Sequence, residues 1–176
     1  MNLIRLNIML NQFRFKYAVI VLACSFLAAQ SIHAQNVHPP TKGTLMPNHA
    51  TGPFDVKVAP QDDKSDDPLL GRMTLDKQYH GDLEATGKGQ MLTAGTAVKG
   101  SGAYVAIEKV TGTLHGRTGS FVLQHTGIMT QNTPHLAIIV VPDSGTGQLA
   151  GISGKMTINI AEGKHSYDFE YTLNTN

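Results

Sequence analysis

The chain of 176 residues has no Trp, a single Cys and only 15% charged residues. Each scarcity excludes something. So little charge rules out a disordered polyelectrolyte. Fourteen Lys and Arg against 13 Asp and Glu leave no basic excess to attract nucleic acid. Few Glu, Lys and Arg beside 18 Gly argue against a helical bundle. No two His are spaced as His-x-His or His-x3-His, so no local metal motif is present and no cofactor is implied. Ser120 and Ser144 lack a Gly-x-Ser-x-Gly elbow, and nothing supports nucleophilic hydrolysis. The Ser-Gly-Thr-Gly at 144–147 is followed by no Lys and opens no helix, so it is not a phosphate cradle.

The first 34 residues read as a secretory signal peptide. Arg5, Arg14 and Lys16 precede an apolar run over 17–29, and a cut after Ala34 leaves Gln35 first. That run is shorter than the ~20 residues of a spanning helix. The expectation is therefore an exported protein, periplasmic or secreted, with no membrane association after cleavage. Leu22 occupies a position where a lipoprotein box carries a small residue, so lipidation at Cys24 is not expected. Cys24 leaves with the leader, and the mature core must hold without a disulfide. The leader carries three basic residues and no acidic one, so its loss takes the formal charge from +1 to −2.

Residues 35–52, with Pro39, Pro40 and Pro47, read as a flexible spacer, and 53–174 as one domain. From Phe54 the apolar period is two. The residues over 54–58, 72–79, 155–161 and 165–173 alternate, 103–114 and 120–126 read as the two strands of a hairpin, and turns fall at 115–119, 143–147 and 162–163. On 72–79 the alternation places Met73, Leu75 and Lys77 on one side. The nearly all-apolar 135–141 reads as a strand covered on both faces. Eight or so strands and no convincing helix predict an all-β fold. A single small antiparallel barrel is preferred over a sandwich because closure removes edges.

The faces suggest a lumen. His165, Tyr167, Phe169, Tyr171 and Leu173 share one side of the last strand, and Phe121, Leu123 and His125 one side of theirs. The strand over 103–110 is apolar on both sides. One side would line the barrel and the other an interface in a homodimer or homotrimer. If Tyr104 and Glu108 face inward, they meet His125 and Tyr167. Three uses of that cluster stay open. It could orient the polar end of a small, largely apolar or amphipathic ligand, with Phe121 and Phe169 supplying apolar burial and Arg117 bracing a rim. It could move protons in a cofactor-free isomerase or cyclase, with Glu108 or His125 as the carrier. It could be a structural network filling the core.

Several stretches resemble the bacterial domain-of-unknown-function family 3224. They include Met73-Thr-Leu-Asp-Lys77, Ala103-Tyr-Val-Ala-Ile-Glu108, the string from Gly112 to His125, Val141-Pro-Asp-Ser-Gly-Thr-Gly147 and His165-Ser-Tyr167. The resemblance implies a calycin-type barrel similar to allene oxide cyclase, of eight antiparallel strands, often oligomeric, with a lumen able to take an apolar ligand. It implies no mechanism, but Glu108, Arg117 and His125 fall in its best-marked stretch.

Overall fold

The computed structural model describes residues 46–62 and 67–173. The leader read over 1–34 lies outside them. Nine strands follow in order: β1 (Asn48–Pro60), β2 (Leu70–Tyr79), β3 (Leu83–Gly95), β4 (Gly102–Leu114), β5 (Arg117–Thr130), β6 (Thr133–Val140), β7 (Thr146–Gly147), β8 (Ile152–Ala161) and β9 (Lys164–Leu173). All pairings are antiparallel, and β4 pairs with β5 while β6 pairs with β8. Eight strands therefore close into a barrel, and the two-residue β7 adds to β5. β1 starts at Asn48 and pairs with β9 from there, so 48–52 belongs to the barrel rather than to the spacer.

Tight turns fix the register. The hairpins β4–β5, β5–β6 and β8–β9 each turn on two residues of positive φ: His115–Gly116, Gln131–Asn132 and Glu162–Gly163. Paired positive φ matches the right-handed twist of the flanking strands. The one-sided alternation of β9 follows. Tyr167, Phe169 and Tyr171 are buried, while Asp168 and Glu170 lie outside.

One end of the barrel is sealed. Leu83, Leu114 and Leu149 are fully buried there, with Phe121 stacked on Phe169 and Phe169 on Tyr171. The opposite end carries the β1–β2, β3–β4, β5–β6 and β8–β9 connections and is a mouth. Val58, Met129, Leu136 and Ile160 share the inward side of their strands there, yet each is at least 40% exposed.

The reading of 135–141 as doubly covered does not hold. Only Ile138 and Val140 are buried in β6, and Ile139 is exposed. A single-layer barrel covers one face of each strand, and β6 meets β8 through one bridge alone, Ile139 to Lys155.

Beyond β6, the edge of β5 is capped by side chains. The amides of Val122, Ser120 and Thr118 donate in turn to Ser144 Oγ, Thr146 Oγ1 and Gln148 Oε1 at 3.0, 3.0 and 2.9 Å. The period of two on β5 meets a period of two in Ser144-x-Thr146-x-Gln148. The Ser-Gly-Thr-Gly stretch thus satisfies strand amides that would otherwise face an unpaired edge.

Candidate functional site

The strand with two apolar sides resolves cleanly. Ala106, Glu108 and Val110 are buried and Tyr104 is half-buried, whereas Val105 and Ile107 face out. Glu108 is therefore in the barrel at mid-depth, where it has no solvent exposure. Gly87 and Gly89 on the neighbouring β3 make the room. A Cβ at Gly87 would lie 1.9 Å from Glu108 Oε1.

A carboxylate so placed must be paired. Lys77, itself buried, brings Nζ to 2.8 Å from Glu108 Oε2. Tyr79 donates its hydroxyl to Oε1 at 2.8 Å, and Lys77 donates to the Tyr79 oxygen at 3.2 Å. The Lys77 ammonium also lies 5.2 Å from the centre of the Phe54 ring, in cation–π range. His125 Nε2 lies 3.0 Å from Oε2, within ion-pair reach but off the hydrogen-bond line, and makes no other hydrogen bond. Burial pushes the Glu108 carboxyl up, but His125 and Lys77 together outweigh it and hold the group below its ordinary range. Burial, then the Glu108 charge, pushes the Tyr79 phenol well above its ordinary value.

These shifts have a signed consequence. Glu108 contributes stability fully above the ordinary carboxylate value of about 4.3 and loses it as pH falls through its lowered folded-state value. Tyr79 contributes fully below about 10 and loses it as pH rises beyond. Thermal melts from pH 2 to 11 should therefore show an acid arm reduced in Glu108→Gln and an alkaline arm reduced in Tyr79→Phe. Arms unchanged by either substitution would show that other groups set the pH limits.

The residues expected to share one site divide between two levels. Glu108 and His125 meet. Tyr104 lies above them toward the mouth, its ring against Gly127, and its phenol is raised by burial and then by the Glu108 charge. Tyr167 does not join. Its ring meets Tyr79 edge-on, but its hydroxyl turns away, accepting from Leu83 N and donating to His80 O. Phe121 and Phe169 are stacked in the sealed end and line no open space. Arg117 lies beyond them, near the Tyr171 hydroxyl that also contacts His115 Nδ1 at 2.7 Å. It stands at the sealed rim, about 20 Å along β5 from the level of Glu108. Lys77 and Tyr79 were not anticipated as site residues. The available signal was a lysine on the Met73 and Leu75 side of an alternating strand.

Among the described residues, no cluster of three or more His, Cys, Asp or Glu is arranged to hold a metal ion.

These features define a closed, eight-stranded antiparallel barrel with a charged network at mid-depth. The sequence model of the family described as protein of unknown function (DUF3224) matches residues 50–171, and the chain belongs to that family. A solved structure from the same family, a protein of unknown function from Shewanella oneidensis at 1.84 Å resolution, is 50% identical. The match covers 73% of this chain and 99% of that one, with a TM-score of 0.69. No protein of curated function matches.

Proposed function

We propose that this is an exported barrel that binds a small amphipathic molecule, apolar along its length and bearing a hydrogen-bond acceptor at its inner end. One observation carries the reading: inward-facing aliphatic side chains stay exposed at the mouth, directly above a buried charged floor. A barrel filled only for stability has no reason to leave Val58, Leu136 and Ile160 uncovered. The floor is rich in donors. Glu108 is ionised and occupied by its partners, while Lys77 uses two of its three N–H groups on Glu108 and Tyr79. A carboxylate or carbonyl oxygen suits that remainder better than an amine does.

The same geometry disfavours Glu108 as a proton carrier. A carboxylate held by a lysine, a phenol and a nearby imidazole is a weak base, because each partner stabilises its ionised form.

The probe for this reading is 11-(dansylamino)undecanoic acid, titrated into protein purified from the cell envelope. Blue-shifted fluorescence with micromolar affinity is expected, and the methyl ester should bind several-fold more weakly. Ile160→Lys changes the mouth at an exposed position, and should weaken the acid at least about fivefold without lowering Tm, since surface substitutions are usually near neutral. No binding, together with a ligand-free native mass, would instead assign the network to core stability.

A further inference from the structure

We propose that the outer face of β3 to β6 is a two-fold interface between two copies of this chain. The face is distinct from the lumen. Register sets Leu92 beside Val105, and Ile107 beside Gln124 and Ile139, in adjacent outward rows. Leu92, Val105, Ile107, Ile128 and Ile139 are 46 to 58% exposed. A groove of about 590 Å³ runs between Arg72 and Gln124, floored by Leu92, Val105 and Ile107. The outward side of β1, β8 and β9 is different. It carries Asp55, Lys57, Lys155, Asp168 and Glu170, with Lys155 paired to Glu170 and Asp168 to His49. On β2 to β4 the outward charges, Asp76, Glu84, Lys88 and Lys109, stand toward the sealed end, so the uncharged outer surface is the mouth-side half of β3 to β6.

Three arguments select a second copy as the occupant. The first is area. At ~4.8 Å between strands, the four strands β3 to β6 that carry the exposed aliphatic residues follow about 14 Å of the barrel wall. Their exposed aliphatic surface amounts to several hundred Å², comparable with the largest patch of a typical monomer, roughly 300–600 Å². With its neutral neighbours it approaches the ~800 Å² each partner brings to a standard interface. The second is charge. Across the Leu92 and Ile107 rows from β3 to β6 every residue is uncharged, and Arg72 at the β2 border is tied to Gln90. Charge returns in the next row toward the sealed end, at Lys88, paired with Asp76, and at Lys109, so the middle of the face can meet itself without like-charge contact. The third is symmetry. The groove lies toward β2 to β4, and Ile128 and Ile139 stand beside it toward β5 and β6. A two-fold axis between them lays each copy's isoleucines over the other's groove, the self-matching arrangement of an isologous dimer. A single apolar side does not supply the two different patches of a ring.

The test is native mass spectrometry and sedimentation equilibrium on the protein as its host processes it, with Leu92→Lys and Ile107→Lys as separate variants. Both positions are more than half exposed, so folding should be retained, and Tm checks that. The expected result is a wild-type dimer at micromolar concentration. Each variant should raise the dimer Kd at least about a hundredfold at unchanged Tm, as for loss of a central interface residue. A wild type that stays monomeric at 50–100 µM, on the order of the weakest specific dimers, would overturn the proposal. So would a dimer or higher oligomer indifferent to both substitutions. A monomer that co-sediments with phosphatidylglycerol vesicles, and loses that binding in Leu92→Asp, would assign the face to a membrane surface instead.

Discussion

Lys77→Met should lower stability by about 3–5 kcal/mol, the cost of leaving one partner of a buried ion pair uncompensated. For a domain of this size that is roughly 10–20 °C in Tm. The reason lies in what Met removes and what it leaves. The methionine fills much of the lysine stem's volume, so packing against Phe54 largely survives. Glu108, with no exposure, then keeps only the Tyr79 hydroxyl and the poorly aligned His125. Its carboxyl should take up a proton at higher pH, and the acid arm of the stability curve should move upward with it. Adding Glu108→Gln removes the stranded charge, and the double variant should recover at least half of the loss. Urea denaturation of the four proteins gives the coupling energy, expected to exceed about 2 kcal/mol for contacting charged groups. A coupling near zero would mean that Lys77 and Glu108 do not act as a pair.

The network illustrates where sequence reading succeeds and stops. The alternation on 120–126 and 165–173 sufficed to point His125, Phe121, Phe169 and Tyr167 inward, because a period of two assigns faces without knowledge of partners. It also made the all-β barrel legible, since turn pairs such as Glu162–Gly163 mark hairpins by local chemistry alone. Depth along the barrel is a different quantity. It depends on register and strand tilt, which are tertiary. Phe169 and His125 therefore both faced inward on paper, yet one is in the sealed end and the other at mid-depth. Tyr167 shows the same limit at finer scale. Its ring direction was readable, but its hydroxyl is claimed by backbone atoms of Leu83 and His80, more than eighty positions away in the chain. On 103–110 both sides are apolar, so period alone could not choose between them. Glu108 settles the choice physically, because Lys77 and Tyr79 wait on the inner side. The Ser-Gly-Thr-Gly at 144–147 reads from sequence as a turn and no more. Its role, capping amides of β5, exists only once β6 is known to end at Val140.

Two Gly→Ala substitutions on the same strand should have opposite signs. At Gly87 the added methyl would fall 1.9 Å from Glu108 Oε1 and 3.1 Å from the Tyr79 ring. The carboxylate cannot simply step aside, since it is held from its other sides by Lys77 and Tyr79. Gly87→Ala should therefore combine overpacking, typically 1–3 kcal/mol, with partial loss of the ion pair, for a total of about 3–5 kcal/mol. At Gly95, eight residues on and on the same inward side, the nearest atom to a new Cβ is Leu69 O at 3.7 Å, an ordinary contact. Its φ is not among the positive ones. Gly95→Ala should be neutral or stabilise by about 0.4–1 kcal/mol, through the reduced freedom of the unfolded chain. The comparison removes helix and strand propensity from the question, because the residue change and the strand are the same. What differs is whether a carboxylate occupies the space above the glycine. Equal effects at the two positions would show that the room at Gly87 is not what admits Glu108. Opposite effects would show that a glycine on β3 is the condition for a charge in the middle of this barrel.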